Sequence, residues 1–246
     1  MHLSIIIPVY NEAKRIGKTL EAINEYLTQQ SYDYEILVVD NGSIDETPVL
    51  VENLMPKIKN LKLIKGLSGR GKGFAVREGM LRAQGDFCIF TDADNSTSIE
   101  QIEKMWPEFA NGYDVVIGSR DVVGAILDPP QPWWRKLILG QGFKLYRKLI
   151  IGLWRIKDTQ CGFKGFTKKA AKDIFPLCRI DHFAFDPEVL LIAQKLGYRI
   201  KEIPVYWKND PNSTVKFNSV FKMAIDLLKI KINLIKGIYG RPQNKR

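Results

Sequence analysis

The sequence predicts an α/β protein with a mostly parallel sheet flanked by helices, and two observations support this class. In residues 1–120, continuous apolar runs rich in isoleucine and valine alternate with helical patterns. This alternation is typical of a parallel sheet that is covered on both faces. Each apolar run ends in polar residues, and the carboxyl ends of parallel strands share one edge of the sheet. We therefore expect a ligand site at that edge.

The elements follow from these patterns in chain order. The predicted strands are Leu3–Val9, Tyr34–Val39, Leu61–Ile64, Asp86–Thr91 and Tyr113–Ile117. The helices between them lie near Glu12–Gln30, Asp45–Met55, Lys72–Ala83 and Ser98–Phe109. A proline-rich turn at 128–132 separates this part from a second half. That half contains an aromatic and basic helical stretch, Trp133–Arg155, a helix Asp186–Leu196, a strand Tyr198–Val205 and a final helical stretch, Phe217–Ile238.

The positive charge of the chain is regional. The net charge is +10, yet residues 133–157 carry seven basic residues and no acid, and residues 216–246 carry eight basic residues and one acid. Both regions mix cations with tryptophan or branched aliphatic residues, which is typical of helices in a lipid headgroup layer. Core helices with snorkelling lysines and a nucleic-acid-binding face are the alternatives. We expect peripheral contact with an anionic membrane surface, without a transmembrane helix, because no apolar run approaches about 18 residues.

Asp92-Ala93-Asp94 follows the buried strand Asp86–Thr91 directly. Two carboxylates at the end of such a strand offer hard oxygen ligands, which suit Mg²⁺ or Mn²⁺ carrying a diphosphate. The alternative is that these acids only end the strand and lead into a helix capped by Ser96 or Ser98. The sequence argues against a His/Cys zinc site, because the chain has two histidines and three cysteines in no C-x-x-C arrangement. The odd number of cysteines favours a reducing compartment.

Three further strand ends carry candidate functional residues. Asp40 could accept hydrogen bonds from a nucleobase or a ribose, or could form a local turn. Lys72 lies in a glycine-rich loop, 66–73, that nearly matches a P-loop, but Gly73 replaces the serine or threonine that would bind magnesium. The loop could still hold a diphosphate. Arg120 could bind a phosphate or pair with a nearby acid.

Together these residues resemble the family 2 glycosyltransferases with a GT-A fold, and within them the dolichyl-phosphate and polyprenyl-phosphate glucosyl- and mannosyltransferases. The likeness covers residues 3–205, with its motifs in the order and spacing of the family. The motifs are LSIIIPVYNE (3–12), VVDNGS (38–43), GKG (71–73), TDAD (91–94), GSR (118–120) and QCGFK (160–164). DTQCGFKGF (158–166) and FDPE (185–188) are more similar to the glucosyl branch.

The resemblance implies a role for each matching residue. The nucleotide sugar would contact Pro8, Tyr10, Glu12, Asp40, Lys72, Asp92 and Ala93. The metal ion, Mg²⁺ or Mn²⁺, would bind Asp94 together with Asp92. Arg120 and, by rough position, Arg135 would receive the acceptor phosphate. Asp158, Gln160 and Lys164 would border the reacting centre. Ser96 stands where the mannosyl branch often has a glutamine ligand, so the coordination shell is incomplete.

The resemblance thus implies an inverting enzyme that moves a hexose, glucose from UDP-glucose, onto dolichyl or polyprenyl phosphate. We expect a peripheral protein on the cytoplasmic side of a membrane. The expected catalytic domain is 1–210, including an amphipathic interface helix at 133–157, and a basic helix and tail follow at 211–246. The alternatives are a GDP-mannose donor, a saccharide acceptor, a P-loop-like nucleotide switch, and a basic nucleic-acid-binding protein.

Overall fold

The computed structural model describes residues 2–65, 69–130, 142–208 and 217–240. Its described strands are β1 (His2–Val9), β2 (Asp33–Asp40), β3 (Leu61–Ile64), β4 (Phe87–Thr91), β5 (Val115–Ser119), β6 (Ile126–Asp128), β7 (Phe163–Thr167), β8 (Ile200–Pro204) and β9 (Tyr206–Lys208). Seven of them form one sheet in the order β3-β2-β1-β4-β7-β5-β8, and β6 pairs with β9. Within the large sheet β7 is antiparallel to both neighbours, while the other pairs are parallel.

Helices cover both faces of the sheet. The described α-helices are α1 (Ile16–Thr28), α2 (Thr47–Leu54), α3 (Lys72–Arg82), α4 (Trp106–Ala110), α5 (Gly142–Ile151), α6 (Lys168–Ile174), α7 (Phe185–Lys195) and α8 (Phe217–Ile235), with 3₁₀ turns at Ile99–Lys104 and Phe175–Leu177. Alternate residues of β1 supply the two apolar layers, because successive strand side chains point to opposite faces. Ile5 and Ile7 pack in the layer of α1, whereas Ile6 packs in the layer of α3, α7 and α8.

The mostly parallel sheet and its five strands in residues 1–120 are confirmed. The predicted helix Ser98–Phe109 is instead divided into a 3₁₀ turn and α4. Pro107 explains the division, because proline lacks an N–H and is tolerated only in the first turn of a helix. The predicted stretch Trp133–Arg155 contains α5, which ends before Gly152 with its positive φ of 76°.

The two basic amphipathic helices pack against each other. Tyr146 of α5 donates a hydrogen bond from its hydroxyl to the carbonyl oxygen of Ala224 in α8, at 3.4 Å. Within the described part of the chain, none of the helices is both long and apolar enough to span a bilayer. The predicted domain boundary after residue 210 lies outside the described residues and stays a prediction.

Candidate active site

The carboxyl ends of β1, β2 and β4 bring the predicted nucleotide residues to one edge of the sheet. Pro8 is buried opposite Val39, and Val9 pairs in register with Asp40. Tyr10 follows β1 and is 52% exposed, so its ring can stack on a base. The carboxylate of Asp40 is buried and accepts a hydrogen bond from the Ser43 amide at 3.1 Å. An aromatic ring and a fixed carboxylate therefore flank one end of this edge.

A negative cluster lies beside this position. Glu12 pairs with Arg15 at 2.7 Å. Burial raises the pKa of Glu12, and the negative charges of Asp94 and Asp92 add to this effect against the attraction of Arg15. Because the pKa of Glu12 responds to both aspartates, the three carboxylates share one electrostatic environment. A cation would relieve their mutual repulsion.

Lys72 adds a positive charge to this cluster beside that of Arg15. Its ammonium lies 2.5 Å from Asp92 Oδ1. Although burial favours the neutral amine, the carboxylates of Asp92, Asp186 and Asp94 raise the pKa of Lys72. Lys72 is the first residue of α3, so its side chain projects beside the amide groups of a helix N-terminus. The Lys72 ammonium suits the oxygens of a diphosphate, whereas the Phe74 amide at this helix start already donates to the Asp181 carbonyl oxygen at 3.1 Å.

Asp94, the predicted metal ligand, is held in place by the backbone next to it. Its Oδ1 atom accepts the Ser96 amide at 2.9 Å, which fixes the carboxylate in a local turn. Ala93 is held by Thr19, whose hydroxyl donates to the Ala93 carbonyl oxygen at 2.7 Å. Among the described residues, no group of three or more histidine, cysteine, aspartate or glutamate side chains is arranged to hold a metal. Asp94 and Asp92 fit the other mode of Mg²⁺ binding, in which one or two carboxylates are completed by substrate phosphates and water.

Gly162 makes the position of Asp92 possible. A Cβ atom at residue 162 would lie 2.0 Å from Asp92 Oδ2 and 2.3 Å from its Cγ, far inside contact distance. The Asp92 carboxylate therefore occupies the space that a side chain at 162 would need. Gly162 belongs to the QCGFK motif, and the contact explains why this motif has a glycine at its centre.

We predict that Gly162→Ala displaces Asp92 and lowers the transfer activity that the resemblance implies on the order of 10²-fold, the cost of a misplacement of about 1 Å in an active site. Steady-state kinetics with a nucleotide sugar measures the loss. Gly17→Ala is the matched control, because nothing lies within 4 Å of a Cβ at that position. Equal activity of the two variants would contradict the proposed contact.

Arg120 and Asp158 form a bidentate ion pair at the carboxyl end of β5. Arg120 Nε lies 2.7 Å from Asp158 Oδ2, and Nη2 lies 3.0 Å from Oδ1. The amides of Arg120 and Gln160 also donate to this carboxylate. Burial alone would raise the pKa of Asp158, but Arg120 and the backbone donors hold it far below its usual range. The Arg120 guanidinium also stacks 4.7 Å from the ring centre of Trp207 in β9.

Lys164 is fully buried, at 0% exposure, and pairs with Asp186 at 2.5 Å. It also donates to the Cys161 carbonyl oxygen. Burial raises the pKa of Asp186, whereas Lys164 and Lys72 lower it. Lys164 therefore lies beneath the site, where it connects the 160–164 segment to α7. The sequence places Asp186 only at the start of a predicted helix, and the fold reveals its buried partner.

The P-loop alternative conflicts with the packing of Gly73. A Cβ atom there would lie 2.5 Å from the Cβ of Phe185 and 2.6 Å from the Ile180 carbonyl oxygen. A serine or threonine hydroxyl for magnesium has no space at this position. Residues 66–68 of that loop, and the predicted phosphate ligand Arg135, lie outside the described residues.

Comparison with known proteins decides the family. The sequence model of the family described as Glycosyl transferase family 2 matches residues 4–175 of this chain. The chain belongs to glycosyltransferase family 2. Among curated relatives of this family member, dolichyl-phosphate beta-glucosyltransferase ALG5C of Trichomonas vaginalis is 35% identical, over 97% of this chain and 73% of the relative. The dolichyl-phosphate beta-glucosyltransferase of Dictyostelium discoideum is also 35% identical, over 97% of this chain and 76% of the relative.

Solved structures support the GT-A fold of this family 2 glycosyltransferase. Mannosyl-3-phosphoglycerate synthase from Rubrobacter xylanophilus superposes with a TM-score of 0.69 at 15% identity, covering 99% of this chain and 77% of the other. Glucosyl-3-phosphoglycerate synthase from Mycobacterium tuberculosis, crystallised with Mn²⁺, UDP and glucosyl-3-phosphoglycerate, gives 0.60 at 15% identity, covering 98% and 81%. The predicted GT-A class is thus confirmed.

Proposed function

We propose that this enzyme transfers glucose from UDP-glucose to dolichyl or polyprenyl phosphate, with inversion at the anomeric carbon. The observation that carries the proposal is the 35% identity to dolichyl-phosphate beta-glucosyltransferases over 97% of the chain. The site supports it, because the same sheet edge carries carboxylates and a lysine for a nucleotide diphosphate and a partly buried arginine, Arg120, suited to a phosphate. The fold relative with bound Mn²⁺ and UDP is consistent with a divalent metal.

The donor edge would act by charge compensation. Tyr10 and Asp40 would hold the nucleoside, and Asp94 with Asp92 would hold Mg²⁺ or Mn²⁺. When bound, this metal offsets the negative charge that develops on the departing diphosphate. Lys72, which is already paired with Asp92, would add a second positive charge at the same oxygens. The carbon–oxygen bond to UDP breaks as an acceptor phosphate oxygen forms the new bond.

The acceptor side needs positioning rather than a strong base. A phosphate monoester is already anionic at neutral pH, so its oxygen can attack the anomeric carbon without losing a proton first. Asp158 is a poor proton acceptor, because its pKa is held far below the usual range by Arg120. We therefore assign Asp158 to orienting Arg120, whose remaining N–H groups would hold the phosphate in line with the sugar. Gln160 would complete this side of the reacting centre.

A row of exposed apolar side chains on α8 supports contact with a membrane. Counted at about 100° per residue, these side chains lie on one face of the helix. They are Phe221, Ile225, Leu228, Ile232 and Ile235, between 41% and 74% exposed. Exposed lysines lie on both sides of the row, at 222, 229, 231 and 236. Lysines beside an apolar face suit an anionic lipid surface, and we place the reaction at the cytoplasmic face by peripheral contact.

We predict that the protein sediments with vesicles containing phosphatidylserine at low salt, and that binding weakens as salt rises. Ile225→Glu combined with Ile232→Glu should lower the partition coefficient between vesicles and water by roughly 10²-fold, because two aliphatic side chains that would enter the lipid are lost. Val49→Glu is the control, since Val49 is also exposed but lies on α2, in the opposite layer. No sedimentation of the wild type at low salt would overturn the membrane proposal.

The function is tested by incubating the purified protein and Mn²⁺ with a short prenyl phosphate and a series of UDP- and GDP-sugars. We expect a prenyl-phosphate hexose, detected by mass spectrometry, with UDP-glucose as the preferred donor. A preference for GDP-mannose would show that GDP-mannose, not UDP-glucose, is the donor. Transfer to saccharides alone would show that the acceptor is a saccharide and not prenyl phosphate. Salt-sensitive RNA or DNA binding without any transfer would favour the nucleic-acid alternative.

A further inference from the structure

Arg147 on α5 is a buried cation whose guanidinium is only partly hydrogen-bonded within the described residues. Its side chain is among the largest fully buried ones, at 1% exposure. Nη2 donates to the Ile156 carbonyl oxygen at 2.8 Å. Nε and Nη1 have no hydrogen-bond partner, and no acid of the described residues forms an ion pair with this guanidinium. Such a group needs an explanation, because buried polar atoms are nearly always paired.

The fold does not need a charge at this position. α5, which carries Arg147, packs against α8 in an apolar layer that includes Ile151, Leu227 and Ile230. Burial lowers the pKa of Arg147, against the attraction of Asp158, Glu202 and Asp121. Replacement of a buried charge by an apolar residue of similar size is often neutral or stabilising. A buried arginine that no ion pair of the described residues balances therefore points to a role beyond packing.

The charges around the acceptor side suggest that role. Arg120 pairs with Asp158, Lys144 pairs with Asp121 at 2.6 Å, and Glu202 accepts the amides of Lys157 and Asp158. Without Arg147, the side chains of this group, all among the described residues, carry two positive charges and three negative ones, so this part of the acceptor side would present net negative charge to an incoming phosphate. With Arg147 the group is neutral. The same guanidinium also donates a hydrogen bond to the carbonyl oxygen of Ile156, two residues before Asp158.

We propose that Arg147 is a positioning residue for an anionic acceptor. Its buried positive charge offsets the excess negative charge of the carboxylates around Asp158, so that Arg120 can attract a phosphate. The inference rests on the proposed function, and adds to it a residue that the sequence interpretation placed among membrane-facing cations. The inference predicts that loss of Arg147 weakens binding of the acceptor alone. The donor edge, formed by Lys72, Asp92 and Asp94, should be unaffected.

The test uses the full chain and a short, water-soluble prenyl phosphate, so that membrane binding does not contribute. Arg147→Met should raise the KM for prenyl phosphate on the order of tenfold, as expected for the loss of one nearby charge at an effective dielectric constant of about 20. The KM for UDP-glucose should stay unchanged, and the Tm should stay equal or rise. Arg147→Lys should recover part of the acceptor KM. Lys148→Met, which removes a partly exposed charge from the same helix, should leave both KM values within twofold.

An unchanged acceptor KM in Arg147→Met would overturn the inference while the proposed function stands. A lower Tm with equal rises in both KM values would also overturn it, since that pattern indicates a purely structural residue. If the wild type transfers no hexose to prenyl phosphate, the proposed function fails and the inference fails with it. The wild-type assay therefore separates the two failures.

Discussion

Substitution of Asp94 by asparagine is expected to lower hexose transfer on the order of 10³-fold, because a metal ligand that stabilises a departing diphosphate contributes several kcal/mol. Asparagine keeps a side-chain oxygen for the Ser96 amide, which Asp94 binds at 2.9 Å, so the local turn should survive. The change therefore removes the negative charge at residue 94 and keeps the shape of the side chain. The kcat with saturating Mn²⁺ measures the loss, and the thermal midpoint should stay within a few degrees of the wild type.

Asp33→Asn is the control for this change. Asp33 is an exposed acid at the start of β2, and thus at the opposite edge of the sheet. Both variants lose one negative charge, but only the Asp94 variant loses it at the diphosphate edge. Full activity of Asp94→Asn would exclude Asp94 as the metal ligand. Activity lost equally in both variants would indicate a general effect of charge.

The strand ends of the first half could be predicted because one physical pattern determines them. A strand buried on both faces is apolar throughout, so its end is visible where polar residues begin. Asp40, Asp92 and Arg120 were located in this way. The place of β7 in the sheet could not be predicted, because this segment contains Gly165 and Lys164 and has no apolar run. Only its position between β4 and β5 makes it a strand.

The parts of the site that were not predicted depend on pairs distant in the chain. Asp158 is recognisable as a polar residue in a motif, but its bidentate pairing with Arg120 requires the fold. Trp207 likewise gave no signal, because a single aromatic residue in a short strand is usually a packing residue. Arg147 was interpreted as one cation of a membrane-facing helix, yet it points inward. Helical periodicity alone does not determine which face of an amphipathic helix is buried in the protein.

Substitution of Lys164 by methionine is expected to lower the free energy of unfolding by about 3–5 kcal/mol, the cost of leaving a buried charge without its partner. Lys164 is 0% exposed and Asp186 is 6% exposed by their side chains, so water cannot replace the lost contact. The burial that already raises the pKa of Asp186 would then act without the opposing charge of Lys164. Urea unfolding at neutral pH measures the effect. Lys65→Met is the control, because Lys65 and Glu52 form an exposed pair worth at most about 1 kcal/mol.

The double variant Lys164→Met with Asp186→Leu separates stability from catalysis. It removes both buried charges, so most of the lost stability should return. We expect activity to remain low, because Asp186 also acts on Lys72, and because Lys164 fixes the Cys161 carbonyl beside Gly162 and Asp92. A double variant as unstable as the single one would contradict the account of an unpaired carboxylate. A stable and fully active double variant would instead show that the pair serves folding only, and that the donor edge is positioned without it.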